Sequence, residues 1–544
     1  MKTSISLVRF IPVFVLFCYL PAGWAFGAGV LDLRAEWLAK AEALKPTLFR
    51  ETLKPVGTVR AAKDPVAFQG VRAEPVAFDV AGREFILDFG RHLTGYFSFA
   101  LKPTARPLDH PLRLRLRFAE TISEAVGDAS ACAGKRISAA WVQDETVNVD
   151  FIPGTVRLPR RYAFRYVRCE VVEHARANGK YKFDGFTAEA VTSADVSALK
   201  PLASDDPLER RMDAIAADTL RDCMQDFFED GPKRDRRLWL GDFRLQALVN
   251  YETFRNLALV KRCLYLFAAF ADDNGRLRSD LYTESVPHPG HCAHIDFIAL
   301  YAPALLEYLE ASGDRATAED LWSVALAQIP HLLKDVGGDG LLSRRLTCGV
   351  HIDWSPELDR QAATQGAILY GLRKTLVLAE RLGRSAEVAA YEPWVAKMTE
   401  AACRNFWDPE CRLFVSGPGR QVSYASQAWL VLAGVATGDD ARDALLNAAK
   451  TEGVIPPLTP YLSAYWVQAL DETGLRREAR AALADQWRGM VEKGADTFWE
   501  AYDPKDDFFS PYGHWLLNSQ CHAFSCAPGY FLRRWAKNGV DASK

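Results

Sequence analysis

"SDDPLERRMDAIAADTLRDCMQDFF", residues Ser204 to Phe228, is where the hydrophobic period of the chain changes. Leu208, Met212, Ile215, Leu220, Cys223 and Phe227 recur there at helical spacing, which places them on one stripe of a helix. Asp206 and Pro207 supply the start, an acid able to cap and a proline suited to the first helical position. Upstream the period is two. In "PLRLRLRFAE" Leu112, Leu114, Leu116 and Phe118 alternate with arginines, the mark of a strand with one buried face. "REFILDFGRHLTGYFSFAL" and "YAFRYVRCEVV" are further strands between Gly, Pro and Asp turns. Short strands without helical spacers predict an antiparallel β-sandwich over residues 57–195. Before it, residues 26–56 are expected to hold a short amphipathic helix, "LDLRAEWLAKAEAL", and a linker.

Downstream, four junctions repeat a stop-and-restart pattern: "EASGDRATAEDLW", "ERLGRSAEV", "VATGDDARDALL" and "DETGLRREARAAL". In each, Gly313, Gly383, Gly438 or Gly474 can close one helix in the left-handed conformation while the next begins at once. The usual helix length gives about twelve helical segments between Pro207 and Lys537. Twelve helices in six hairpins fit a closed (α/α)6 barrel over residues 196–538, with a tail at 539–544. A bent helical array would give the same periodicities, and the uneven spacing argues against a regular solenoid.

At 544 residues the chain exceeds one ordinary core. With Lys+Arg 66 against Asp+Glu 69 the charge is balanced, and nothing global suggests a nucleic-acid or membrane-surface partner. Residues 1–25 read as a signal peptide: Lys2 and Arg9, an apolar run from Ile11 to Leu20, then small residues around Ala25. The run is too short to span a bilayer comfortably, so a secreted or periplasmic protein without stable membrane insertion is expected. Cys18 follows Leu16 and Phe17, which is not the small-residue context of a lipoprotein. The other cysteines form no C-x-x-C pair, which argues against zinc or redox chemistry; Cys403 and Cys411 bracket a turn and could bridge, whereas Cys521 and Cys526 diverge. No metal and no cofactor is expected.

"EDGPKRDRRLWLGD", Glu229 to Asp242, sets Asp230, Asp235 and Asp242 among Lys233, Arg234, Arg236 and Arg237. The plain reading of a charge run is a solvated face, but Gly231 and Pro232 break the chain and Trp239 follows at once. The segment links the first two helices of the second half, and in a ring of hairpins such links gather at one rim. "GADTFWEAYD" places Trp499 beside Glu500, "HIDWSPE" places Asp353 beside Trp354, and "SQCHAFSCAPGYFL" carries His522. Carboxylates with indoles suit sugar chemistry: one acid protonates a glycosidic oxygen, another activates water, and aromatic faces cover the C–H faces of the ring. Eleven of the fourteen tryptophans lie at or beyond Trp239; the competing account is that they fill helix interfaces. In "VPHPGHCAHIDF", His288, His291 and His294 could bind a metal, donate to a sugar from a rim loop, or be structural, and Pro289 and Gly290 interrupt any helix that would align them. Asp296 is the better site candidate there, or a helix cap.

"DGPKRDRRLWLGD", "TFWE" and "CHAFSCAPGYFL", with the "LDFGRHLTGY" strand pair upstream, together resemble the bacterial α-L-rhamnosidases of glycoside hydrolase family 78. The resemblance covers most of the mature chain. It implies an exported, inverting hydrolase that removes terminal α-L-rhamnose from glycans or glycosides, with Asp235 as general acid and Glu500 as general base. It places Asp230 and Asp242 on sugar hydroxyls and His522, Trp354 and Trp239 on the pocket wall; Arg234, Asp296, Asp353 and Trp499 complete the candidate set. Two departures from the family pattern stand out. The acid position is commonly glutamate, and Arg234 and Arg236 flank Asp235, where an acid catalyst needs its pKa raised. A C-terminal β-domain carried by many relatives is not expected, since the chain stops soon after its last helix. The alternatives are a barrel hydrolase or lyase for another sugar, and a carbohydrate-binding protein impaired in catalysis. If Asp235 is the acid, it is expected to face the cavity and Arg234 and Arg236 to point away.

Overall fold

The computed structural model describes residues 23–62, 71–76, 84–104, 111–175 and 181–537, with side chains from residue 33 onward. The expected leader up to residue 22 and the tail at 539–544 lie outside these residues. An N-terminal helix, Gly23–Ala43, comes first. Among the described residues nine strands of one sheet follow: β1 (Phe49–Leu53), β2 (Gly57–Ala61), β3 (Ala73–Val76), β4 (Glu84–Pro103), β5 (Leu112–Ala119), β6 (Gln143–Val149), β7 (Gly154–Arg157), β8 (Tyr162–His174) and β9 (Tyr181–Thr192). All named pairings are antiparallel, in the order β1-β9-β4-β8-β5-β6 with β2, β3 and β7 joined through β4.

Strand β4 passes from one pairing to another. Its first half lies between β2 and β8 and its second between β7 and β9, with register shifts at Asp88/Leu93 and Ser98/Ala100. A strand that changes partners in this way folds a sheet over on itself, and the enclosed space is filled by Phe89, Phe97, Phe99, Phe118, Phe164 and their neighbours. In β5 the alternation read from the sequence is realised: Leu112, Leu114, Leu116 and Phe118 are all fully buried, each worth roughly 2 kcal/mol. On the other face Arg113 pairs with Glu173 at 3.0 Å. The sheet begins earlier than residue 57, because β1 pairs along β9. Its exposed edge residues carry no alternation that could have announced it.

Twelve helices of nine residues or more follow among the described residues, numbered here α1 (Pro207–Cys223), α2 (Leu240–Glu252), α3 (Leu257–Ala269), α4 (Tyr301–Ser312), α5 (Trp322–Leu333), α6 (Gln361–Leu382), α7 (Glu392–Phe406), α8 (Tyr424–Leu432), α9 (Gly438–Lys450), α10 (Pro460–Glu472), α11 (Arg476–Glu492) and α12 (Pro528–Lys537). Asp206 caps α1 by accepting from Leu208 N at 2.8 Å, with Pro207 in the first turn. The even-numbered helices form the inner ring. Each packs on the next from α2 to α10, α10 packs on the Ala523–Cys526 turn that opens α12, and α12 packs back on α2. The ring therefore closes as an (α/α)6 barrel. The N-terminal helix lies outside it on α3 and α5, with Trp37 and Ala41 fully buried.

Inner helices run into outer ones through tight turns. Gly313 (φ 70°) and Gly383 (φ 72°) end α4 and α6 in the left-handed conformation. Gly438 does not end a helix: it opens α9, and the left-handed residue after α8 is Gly434 (φ 69°). The opposite crossings, from outer to inner helix, are 224–239, 270–300, 334–360, 407–423, 451–459 and 493–527, all but the fifth of them long. All six enter the N-terminal ends of inner helices, so they meet at one rim. Among the described residues no helix is long and apolar enough to cross a membrane. Cys403 and Cys411 are free thiols, not a bridge, and the Cys403 thiol turns to Val435 O at 3.5 Å.

Candidate active site

The charges of the first link are consumed inside the molecule. Asp230 folds the link, its carboxylate accepting from Asp235 N at 3.2 Å and Arg237 N at 3.0 Å. Gly231 permits the last link to lie against this one, since a Cβ there would stand 2.5 Å from Arg234 O and from Ser519 Oγ. Lys233 reaches Glu124 of the sheet domain at 2.8 Å. Arg236 bonds Pro232 O at 2.7 Å and Arg161 O at 2.9 Å. Arg237 pairs with Asp280 at 3.1 Å, lies over the Tyr282 ring at 4.2 Å and stands 4.0 Å from Asp235.

Arg234 corrects the expected orientation. It does not turn away: Nη1 lies 3.0 Å from Asp235 Oδ1, while Nη2 donates to Glu500 Oε2. One guanidinium thus joins the first link to the last, bridging two carboxyl groups with separate nitrogens of its planar fork. Arg236 does turn away, one of its nitrogens donating to Arg161 O of the sheet domain and another back to Pro232 O of its own link.

Glu500 is 4% exposed. Its Oε1 accepts from the Tyr512 hydroxyl, and its Oε2 from Arg234 and from Ser519 N at 3.2 Å. Burial alone would raise its pKa, but Arg234, His522 and the Tyr512 hydrogen bond bring it down to about 2. Next to it His522 Nε2 stands 3.2 Å from Asp242 Oδ1, in the first turn of α2. Burial disfavours the imidazolium, yet Glu500 and Asp242 raise it to about 9. Asp230 moves the other way from Glu500: burial, then the charge of Asp235, raise it to about 7. Burial also raises Asp242, against the hydrogen bond from His522. The site therefore holds an ionised carboxylate and a carboxyl poised near neutrality. Of these acids Asp235, with its side chain 18% exposed, is the one open to solvent.

The aromatic wall is partly as expected. Trp239 is half-buried and stacks on His294, centroids 5.9 Å apart. Trp354 is half-buried against Tyr512 at 5.7 Å, with Arg136 of the sheet domain over its ring at 5.3 Å. Trp499 is not part of this wall. It is 1% exposed in the barrel core beside Tyr502, because neighbours in an extended segment point to opposite sides and Glu500 holds the site side. Asp353 is likewise a brace: it accepts from Thr459 Oγ1 at 2.6 Å and Leu458 N at 2.9 Å, tying the third link to the fifth. Asp296 neither faces the cluster nor caps its helix. It accepts from Ile352 N at 2.8 Å and His351 N at 3.1 Å. The histidine loop is divided among partners, His288 stacking on Tyr282 at 4.8 Å and His294 on Trp239.

Tyr512, Arg237, Asp280 and Tyr282 were missed in the sequence. They sit in the links, Asp280 and Tyr282 on a three-residue strand there, where each segment is too short for a period to mark a residue as facing a site.

Two family models match this chain: the glycosyl hydrolase family 78 alpha-rhamnosidase N-terminal domain over residues 55–190, and the bacterial alpha-L-rhamnosidase 6 hairpin glycosidase domain over residues 200–535. Among solved structures, a rhamnosidase from Klebsiella oxytoca with rhamnose bound is 40% identical, covering 92% of this chain and 98% of that one at a TM-score of 0.88. A family 78 rhamnosidase of Bacillus sp. GL1 is 23% identical with a TM-score of 0.70, covering 82% of this chain and 46% of that one. A Streptomyces avermitilis α-L-rhamnosidase complexed with L-rhamnose is 16% identical with a TM-score of 0.66, covering 90% of this chain and 44% of that one. No curated protein matches. With a closed six-hairpin barrel, a sheet domain against its rim and both models matched, the chain belongs to the bacterial α-L-rhamnosidases of glycoside hydrolase family 78 and is a glycosidase.

Proposed function

We propose that this glycosidase releases terminal α-L-rhamnose from glycans or glycosides with inversion at the anomeric carbon. The observation that carries the reading is the pair of carboxylates, Asp235 and Glu500, held from two distant links by the single guanidinium of Arg234. The Klebsiella oxytoca relative, with rhamnose bound, supports the choice of sugar.

In the mechanism Glu500, kept ionised by Arg234 and His522, takes a proton from a water as that water attacks the anomeric carbon. The bond to the leaving oxygen breaks, and that oxygen receives a proton from the Asp230/Asp235 pair. Asp235 is the member that reaches it, and Asp230 is the buried partner whose carboxyl is poised near neutrality. The Arg234 cation fixes both carboxyl groups and balances the charge of Glu500. His522 Nδ1 has no protein hydrogen-bond partner, which suits it to a sugar hydroxyl. Trp239 and Trp354 offer apolar faces to the ring. Export is part of the proposal, resting on the leader composition of residues 1–25; an intact mass retaining Met1 in an exported fraction would count against it.

The test is a panel of nitrophenyl glycosides with the purified protein, followed by proton NMR in early turnover. Cleavage of the α-L-rhamnoside above all others, with the released sugar first in the inverted configuration, is expected. Preference for another glycoside would move the sugar, and retained configuration would overturn the roles. Weak activity on every glycoside with measurable rhamnose binding would favour an impaired enzyme, a reading to which the Arg234–Asp235 pairing lends weight.

A further inference from the structure

The two links that carry the proposed acid and base are both held by one side chain from outside the barrel. Glu120, at the end of β5 in the sheet domain, is fully enclosed. Its Oε2 accepts from Gln520 N at 2.6 Å and lies 3.3 Å from Lys233 Nζ. Lys233 is also 2.8 Å from Glu124 Oε1, and Glu124 is bound back to Glu120 N at 2.7 Å. His92 of β4 completes the cluster, 3.5 Å from Glu120 through Nε2 and 2.7 Å from Asp222 of α1 through Nδ1. Lys233 precedes Arg234, the residue that spans Asp235 and Glu500. Gln520 follows Ser519, whose N–H binds Glu500, and stands two residues before His522.

We propose that Glu120 is a positioning residue: by binding Lys233 and the backbone of Gln520 at once, it sets the distance between the first and last links of the barrel rim, and hence between Arg234 and Glu500. This rests on the assignment of Glu500 as base given above. The physical reason is that neither link is regular structure. Each is a long crossing with only short pieces of structure of its own, Leu238–Trp239 in the first and the turns Trp515–Leu517 and Ala523–Cys526 in the last, so its position follows largely from the groups that grip it. A buried carboxylate flanked by a lysine and a backbone N–H is a short, charge-assisted grip, and a displacement of even about 1 Å at a reacting group is costly. The groups facing Glu500 are Arg234, Tyr512, His522, Asp242, His351 and the Ser519 N–H; Arg234 adjoins Lys233, and Ser519 and His522 lie within two residues of Gln520, so three of them sit beside Glu120's anchors.

The decisive variant is Glu120→Gln, which keeps the shape and an oxygen for Gln520 N–H but removes one of the two carboxylate charges that hold Lys233, Glu124 keeping the other at 2.8 Å. On whichever aryl glycoside the wild type cleaves, kcat is expected to fall about 10- to 100-fold with KM within about threefold. The acidic limb of the kcat/KM profile is expected to move to higher pH as Arg234 loosens from Glu500. Hydrogen exchange in the peptide around Gln520 should quicken. Glu124→Gln leaves the Gln520 anchor in place and is expected to lower the melting temperature without moving the limb. If Glu120→Gln does not fold, Glu120→Asp carries the test, since it keeps the charge but shortens the reach; the limb should move in the same direction. An unmoved limb with kcat within threefold in a folded variant would overturn the proposal. So would a loss accounted for by unfolded protein alone. Because variant and wild type are compared on the same substrate, an error in the sugar leaves the test intact. An error in the base shows instead as a Glu500→Gln enzyme with normal turnover.

Discussion

Tyr512→Phe isolates one hydrogen bond in the site. The ring remains, so Arg234 still lies over it, at 4.1 Å in the native structure, and Trp354 keeps its edge contact at 5.7 Å. Only the hydroxyl that donates to Glu500 Oε1 is lost. A hydrogen bond to a charged group contributes about 1.5–3 kcal/mol, and about 1.4 kcal/mol corresponds to one pKa unit. The donor stabilises the ionised form, so its removal raises the Glu500 pKa by roughly 1–2 units. Starting from about 2 in the native site, the variant should titrate at about 3–4. The assay is kcat/KM between roughly pH 3 and pH 7, with circular dichroism at each pH to follow unfolding. Near neutrality the variant should approach native activity, since its base remains ionised. Below about pH 4 it should lose activity that the native enzyme keeps. A limb at the same pH in both proteins would refute the reasoning. A uniform loss at every pH would assign Tyr512 to substrate binding instead.

Glu500→Gln should lower turnover by about 100- to 10,000-fold while the protein stays folded, measured by single-substrate kinetics beside a melting curve. Asp235→Asn should slow rhamnosides with poor leaving groups far more than those with activated nitrophenolates, which need little protonation. Equal loss on both would remove Asp235 from the acid role and direct attention to Asp230. His522 contributes stability that is fully present below pH 6.5 and is lost as pH rises toward about 9, because its folded pKa is raised. Its upper bound is on the order of 3 kcal/mol, so the melting-temperature gap between wild type and His522→Asn should narrow over that window; a constant gap would contradict the assigned ionisation.

The fold was legible because its two halves obey different periods. Leu112 to Phe118 alternate and Met212 to Cys223 stripe, both following from which side of each element is buried, whereas Phe227, expected on the same stripe, is buried in the crossing beyond the end of α1. The rim was legible only where a link carries an unusual run, as between Glu229 and Asp242. Adjacent residues defeated the sequence reading: in Trp499–Glu500 the acid faces the site and the indole the core, whereas in Asp353–Trp354 the acid braces the scaffold and the indole reaches the rim. A dipeptide in an extended link puts its side chains on opposite sides, and only the surrounding chain decides which side is which. Arg234 was misjudged for a similar reason. Its partner, Glu500, lies in the last link, brought near by closure of the ring.

The helix that precedes the sheet lies on the outside of the barrel, with Trp37 enclosed and Lys40 paired to Asp320 at 2.7 Å. The polypeptide thus leaves the barrel wall, builds the sheet, and returns through α1. A module pinned at both ends has no single hinge about which to swing, and exchange of the sheet between copies would require both pins to be drawn. A protease nick in the crossing at Leu44–Leu48 would leave the sheet attached through the Ser193–Asp206 crossing. Heat must strip both attachments before the sheet can part from the rim, so the helix far from the chemistry acts as a fastener for it.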